Sequence, residues 1–285
     1  MGMGGMGGMG GMGLTGNPDG PVGFEQPDTL STNAIPYGTL PTLKFLPINQ
    51  CIRFDDRCWD ARHMAQAVLG EFAALPWQTD PSIKPPPWDT ADVQEEIQQL
   101  IAIGSANRGR LRDEIISQAE DATNYWANLL MVNPISCPAT WTLIHIGEAV
   151  GMMIAMYFKR IHRRPRPVQV YPPIMPLLLT PPHASYPNAH ALQSFLMSAL
   201  VAKVRPGLAD PLYALAWRVA QNREIAGVHY PSDTAASFGM SKGIMAKFDV
   251  LGATDSAYAS IVKRAETEWA DIAQEPTPQK SFTGQ

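Results

Sequence analysis

Between Ala149 and Ala209 the sequence has no aspartate or glutamate, although the whole chain carries a formal charge of −4. The same stretch holds Lys159, Arg160, Arg163, Arg164, Arg166, Lys203 and Arg205, and five of those seven lie within eight residues, beside His162. Cations near a helix end offset the helix dipole, which accounts for two or three of them. A density this high, running into a proline-fixed loop, points to a specific site for an anion. His145 and Glu148 stand one turn apart on an otherwise apolar helix. No third ligand follows at a suitable spacing, so they read as a buried hydrogen-bonded pair and not as a metal site.

Three pieces of sequence extend the basic run into a pattern. Lys159 is followed after six residues by Arg166-Pro167. Ser185-Tyr186-Pro187-Asn188-Ala189-His190 is a loop opening into a helix. Asn222-Arg223 is followed after five residues by His229, and after three more by Asp233. Together they resemble the tripartite signature of the type-2 phosphatidic acid phosphatase and vanadium haloperoxidase superfamily: K-x6-RP, PSGH, then SR-x5-H-x3-D. Spacing inside the first and third pieces matches throughout. The resemblance covers about residues 139–248 and implies an all-helical fold. Two departures stand out. PSGH is Pro187-Asn188-Ala189-His190 here, and the SR pair is Asn222-Arg223.

What the resemblance implies can be put physically. A phosphoryl group in flight spreads negative charge over its equatorial oxygens, so catalysis is mostly positioning and electrostatics. Lys159, Arg166 and Arg223 would supply positive charge, the arginines in bidentate geometry. Asn188 and Ala189 would complete the cradle at a helix start, where an anion is favoured. His229 maps onto the family's nucleophile, and Asp233 would accept from its other ring nitrogen and fix the tautomer. His190 corresponds to the general acid that protonates the leaving oxygen. Asn188 either caps the helix or reaches the anion with its carboxamide, and is not expected to do both well. His162 and His183 flank the site as candidate substrate or gate contacts, and His63 is taken as structural. No cofactor is required for a phosphatase. In the haloperoxidase branch vanadate would occupy the cradle, with His229 as its metal ligand.

The elements that must carry these residues follow from periodicity and proline. Helices are expected over about 56–75, 91–103, 108–131, 139–164, 188–204, 211–226, 232–248 and 256–273, with Ser232 as an N-cap and the proline-dense 168–187 as loop. Strand patterns are nearly absent. The fold class is all-α, a multi-helix bundle of the acid phosphatase and vanadium haloperoxidase type. Residues 1–35 form a disordered Gly/Met-rich arm whose methionines could at most bind a soft cation. Residues 36–273 form a single helical catalytic domain, and 274–285 a loose tail.

Composition bounds the function. With 45% hydrophobic and 17% charged residues the chain is globular, and an acidic balance disfavours nucleic acid as a partner. No window reaches the roughly 18 uninterrupted apolar residues of a membrane span; Leu143–Phe158 is interrupted by His145 and Glu148 and reads as a core helix. The N-terminus lacks a signal-peptide pattern, so the chain as given is cytoplasmic, or periplasmic or secreted if a leader has been removed. Of three cysteines, Cys51 and Cys58 could pair after export, but free buried thiols are favoured. The leading function is a metal-independent phosphatase for monoesters or diphosphates, working through a phosphohistidine. The alternatives are a vanadium-dependent haloperoxidase and a phosphate-binding protein with weakened catalysis. The partner is a small anionic phosphorylated substrate, and a homo-oligomer is left open.

Overall fold

The computed structural model describes residues 54–79, 86 and 89–274. The Gly/Met-rich arm, Cys51 and nearly all of the C-terminal tail lie outside the described residues. Of the two units into which the chain divides, the one spanning Met6–Cys58 contributes only residues 54–58, where Arg57 pairs with Asp55 beside a 3-10 turn at Asp56–Cys58. The other unit, from Trp59 onward, carries every helix discussed below.

The fold class is all-α: the described residues form long helices and no strand. α1 (Ala61–Ala73) starts where Asp60 accepts from the Arg62 and His63 amides, later than the expected 56, because residues 56–58 turn as a 3-10 helix. α2 (Thr90–Glu120) is one continuous helix, correcting the expected break near 104–107. Gly104 does not interrupt it. A Cβ there would meet the Arg108 side chain at 2.9 Å, so the glycine makes room for that guanidinium. α2 ends at Asp121, whose extended backbone and Oδ1 start α3 (Thr123–Leu130) by accepting from the Thr123 amide and hydroxyl.

α4 (Pro138–His162) begins on Pro138, and its first amides are held by the Glu268 carboxylate at 2.7 and 2.9 Å. Its apolar window has a mean hydropathy of 1.3, enough by length and composition to cross a membrane, and is 61% buried in the bundle. His145 is buried and lies 3.0 Å from Glu148 Oε2, as expected of a hydrogen-bonded pair. The expected loop at 168–187 contains two helical turns, α5 (Pro167–Val170) and a 3-10 turn at Pro172–Ile174, each opened by proline, whose fixed φ suits a first helical position.

α6 (Ala189–Val204) is apolar all round and almost wholly buried, which makes it the axis of the bundle. α4, α7 (Ala209–Ile225), α8 (Pro231–Gly252) and α9 (Ala257–Gln274) pack around it. α1 leans on α4, and α2 on α7. Cys58 has a free thiol but is exposed, which corrects the expected burial, and Cys137 is buried with a free thiol.

This order sets up the site. α4 and α7 end where α6 and α8 begin, so two helix C-termini carrying cations meet two N-termini offering amides. The α4–α6 crossing is unusually close: a Cβ on Gly147 would lie 2.6 Å from the Met197 amide nitrogen. Gly147→Ala should therefore destabilise the protein by about 1–3 kcal/mol through overpacking, read as a lower midpoint in thermal denaturation. Gly239→Ala, with nothing within 4 Å of its Cβ, should leave the midpoint unchanged or raise it.

Candidate active site

His229 is buried on the segment between α7 and α8, and its two ring nitrogens have opposite partners. Nδ1 lies 3.0 Å from Asp233 Oδ2, and Nε2 lies 2.9 Å from Arg166 Nη1. Arginine can only donate, so Nε2 carries the lone pair and Nδ1–H donates to Asp233. Burial and then the Arg166 charge hold the His229 pKa well below the usual histidine range, outweighing Asp233. The result is a neutral imidazole with a fixed tautomer and a free-electron nitrogen facing cations.

Asp233 is fully buried, one turn into α8. Its Oδ2 also accepts from the Ser185 hydroxyl at 2.6 Å and the Tyr230 amide at 3.2 Å, and Oδ1 accepts from Arg164 at 2.7 Å. Burial alone would raise its pKa, but the His229 bond, the His229 and Arg164 charges and Ser185 together hold it below the carboxylate range. Tyr230, and not Ser232, is the N-cap of α8. The Ser232 amide donates instead to Glu96, and its hydroxyl accepts from Arg164.

The cations differ in what their donors do. Lys159, at the end of α4, gives its ammonium to three carbonyls of the following loop: Ala184, Ser185 and Pro187, at 2.9, 2.6 and 2.5 Å. Burial, then Arg166, depress its pKa strongly. Arg166 is divided between the carbonyls of Val228 and His183 and the rings of His229 and His183. Burial brings its pKa down to about 10. Arg223, on the last turn of α7, donates from Nη2 to the Ile115 carbonyl, while its buried Nε and Nη1 have no partner. Its pKa is also lowered to about 10 by burial. Two desolvated and unpaired guanidinium donors are available to an oxyanion.

The helix start resolves the choice posed by Asn188. Its Oδ1 accepts from the Ala191 amide at 3.2 Å and its Nδ2 donates to Thr234 Oγ1 at 3.2 Å. The carboxamide is committed to the cap and to α8. Ala189 and His190 are then the first helical residues, whose amides have no intrahelical acceptor. Half-buried His190 is pushed down to about 3 by burial, then by the charges of Arg223, Lys159 and Arg166, and by His183. The eight residues singled out by sequence thus converge at one end of the bundle.

Other residues fall beside them. His183 steadies Arg166 at 3.0 Å, and its pKa is lowered to about 4 by burial and the Lys159 and Arg166 charges. His162 stacks on Phe158 and meets the edge of Tyr186. His63 is exposed in the first turn of α1. Sequence reasoning missed Glu96, Arg164, Arg108 and Glu224. Arg108 holds the carbonyls of Ile225, Ile174 and Met175, and a Cβ on Gly227, at φ +77°, would lie 2.5 Å from its Nη2. Glu224, beside Arg223, is pushed up to about 7 by burial, against a bond with Thr234 and with help from the Asp233 and Glu96 charges. Among the described residues no group of three His, Cys, Asp or Glu is gathered as a metal ion would need.

Buried cations, one of them with two unpaired donors, around a carboxylate-held histidine suit phosphoryl chemistry. No family model matches the chain. Over 130 residues, 45% of this chain and 71% of the relative, it is 32% identical to the decaprenylphosphoryl-5-phosphoribose phosphatase of Mycobacterium tuberculosis. Over 158 residues, 53% of this chain and 62% of the relative, it is 23% identical to the non-specific acid phosphatase of Salmonella typhi. The corresponding Salmonella typhimurium protein is 22% identical over 158 residues. The chain belongs to the family of the mycobacterial phosphatase. Its relatives fit a phosphatase family of the type-2 phosphatidic acid phosphatase kind and support phosphoric ester hydrolysis as the general activity.

The histidines set a pH dependence of stability. His183 and His190 have folded pKa values of about 4 and 3, and that of His229 is also depressed. Between about pH 7 and 4 the unfolded chain binds protons that the folded chain refuses, so stability should fall on acidification. Asp233 adds to the loss lower down, because its stabilisation is present above the unfolded carboxylate pKa and vanishes as pH falls through its depressed value. Orthophosphate should raise the thermal midpoint and flatten this slope by favouring the imidazolium forms. Melts at several pH values with and without phosphate test both statements, and a midpoint that climbs on acidification contradicts them.

Proposed function

We propose that the protein hydrolyses phosphate monoesters or diphosphates through a phosphohistidine on His229, without a metal ion. The observation that carries this reading is Arg223. Its buried Nε and Nη1 have no partner, its charge acts on His190 together with those of Lys159 and Arg166, and Arg166 in turn touches the lone-pair nitrogen of His229. The amides of Ala189 and His190 add donors at the start of α6, and Arg166 and Lys159 add charge. In this scheme His229 Nε2 attacks phosphorus and the bond to the leaving oxygen breaks. His190 supplies the proton to that oxygen. Water, deprotonated by His190, then attacks the phosphohistidine and releases phosphate. Asp233 holds the Nδ1 proton and offsets the charge His229 acquires.

The substrate is a small phosphorylated molecule. The names of the relatives bracket the range, from a phosphate on a lipid-linked ribose to non-specific acid phosphatase substrates. Vanadate has the shape and charge of phosphate and fits the same donors, with His229 Nε2 as its ligand. It should therefore inhibit competitively. Bromide oxidation on adding vanadate and peroxide would shift the reading to a haloperoxidase, and tight phosphate binding without turnover to a binding protein.

Two measurements test the mechanism. His229→Ala should abolish turnover and acid-labile phosphate labelling of the enzyme, and activity should survive EDTA. Loss with EDTA and recovery with zinc or magnesium would rule out the metal-free scheme. His190→Ala should slow hydrolysis of alkyl phosphates by about 10²–10⁴-fold, and of an activated aryl phosphate much less. Equal losses on both substrates would remove His190 from the role of acid.

Asn188→Ser tests the cradle. Serine keeps the N-cap but gives up the bond to Thr234. The expected change in phosphate affinity is small, within about tenfold, measured by titration calorimetry.

A further inference from the structure

We propose that Glu96 and Arg164 are positioning residues for this hydrolysis, forming a strut that runs from α2 through Asp233 to His229. The inference rests on the proposed role of His229, but the strut itself is geometric. Arg164 is buried and its guanidinium is divided in two: Nη2 donates to Glu96 Oε2 at 2.7 Å, and Nη1 to Asp233 Oδ1 at 2.7 Å and Ser232 Oγ at 2.7 Å. Its plane lies over the Tyr230 ring, 3.9 Å from the centroid, which fixes its orientation from a third side. The other oxygen of Glu96 accepts from the Ser232 amide at 2.6 Å, so one carboxylate holds both the arginine and the start of α8.

The consequence for His229 follows from Asp233. A carboxylate with one oxygen on His229 and the other on a locked guanidinium cannot rotate without breaking a charge-assisted bond. Arg164 also keeps that carboxylate ionised, and an ionised Asp233 is what holds the proton on His229 Nδ1 and leaves the lone pair on Nε2. In these contacts both terminal nitrogens of Arg164 are committed to Glu96, Asp233 and Ser232, and only its buried Nε has no partner. The effect of Glu96 and Arg164 reaches the chemistry only through Asp233. The titratable groups facing Asp233 are Arg164, which is charged, and the His229 ring, which is neutral in the free protein, and Asp233 in turn acts on Lys159, Arg166, Glu224, Tyr186 and Tyr230.

The test uses Arg164→Met, Arg164→Lys and Glu96→Gln in the full chain. In folded variants, judged by circular dichroism and thermal melts, orthovanadate affinity should stay within about threefold of wild type. kcat for an aryl phosphate should fall about 10- to 100-fold with little change in KM, the scale seen when partners behind a catalytic ligand are removed. The acid limb of the pH profile should move up in Arg164→Met and return part of the way in Arg164→Lys. Nitrogen-15 NMR of the histidines should show His229 as the Nδ1–H tautomer in wild type and a tautomer mixture in Arg164→Met. Should Arg164→Met fail to fold, Glu96→Gln carries the same readouts, since its amide oxygen can still cap Ser232. A folded variant with wild-type kcat, acid limb and His229 tautomer overturns the strut. The NMR readout needs no turnover, so an inactive wild type would defeat the phosphatase reading while leaving the strut to stand or fall by itself.

Discussion

The end of the bundle that carries the site buries positive charge in excess of the negative charge placed beside it. Lys159, Arg164, Arg166 and Arg223 are each at most 2% exposed, and the buried carboxylates set among them are Asp233 and Glu96. Removing such ions from water costs several kcal/mol apiece even after relaxation. Most of that cost is offset by backbone carbonyls, three on Lys159, two on Arg166 and one on Arg223. Those carbonyls come mainly from segments without a regular ladder to use them. The irregular, proline-rich 171–187 stretch is therefore not a passive connection. Its backbone is the solvent that the buried cations lost. Arg223 is the least satisfied of the four, with two donors left without a partner against one, Nε, on Arg164.

Helix ends deliver these groups, and a few residues set where each helix ends. α7 stops at Ile225 because Gly227 takes a left-handed φ, and the freed Ile225 carbonyl accepts from the Arg108 guanidinium of α2. The same guanidinium ties down the 3-10 turn at Ile174, and the Ala226 carbonyl holds the Leu177 amide. Arg223 and His229 are thus fixed on either side of a turn clamped by a distant helix. The Ser185 amide on the Arg164 carbonyl and the Asn188 amide on the Asp233 carbonyl bind the loop to α4 and α8 in the same way. A site made of helix termini needs such clamps, because termini are where helices fray.

The all-α class and most helix boundaries were legible because apolar spacing and proline act locally. The candidate site residues were picked out through the resemblance to a family signature whose pieces are short-range, as in His229 to Asp233 across one turn. What failed was longer in range. The expected separation of 91–103 from 108–131 disappears in α2, where the space at Gly104 is filled by the Arg108 side chain. Glu96 sits in a polar run that resembles a solvated helix face, and its partners are 68 and 136 residues away. Nothing local marks it as buried. Arg164 was visible only as one of a basic cluster, and its difference from exposed Arg163 arises from Asp233 and Glu96. Asn188 left two options because a carboxamide can do both jobs. The position of Thr234 across the helix interface decides between them.

The same excess of charge that suits the pocket to an anion keeps its acid unprotonated. His190 is held near about 3 by its buried setting and by Arg223, Lys159 and Arg166, so without an anion it is neutral at any ordinary pH. A general acid must carry a proton, and in the proposed scheme that proton has to be stabilised by the substrate. A phosphate ester brings up to two negative charges with a second ionisation near about 6. Placed against Arg223 and the amides of Ala189 and His190, it cancels the field that depresses the imidazole. The monoanion, moreover, arrives with a proton of its own. Binding and acid formation are then one event, with a favourable consequence for water. An empty pocket holds neutral histidines and pays little in protonation, whereas an occupied one is charged and balanced. Before any substrate is bound, His229 is neutral, with Asp233 and Arg166 fixing its two nitrogens from opposite sides. In the proposed scheme the two histidines would thereby take opposite tasks, set by a carboxylate behind His229 and by the incoming anion in front of His190.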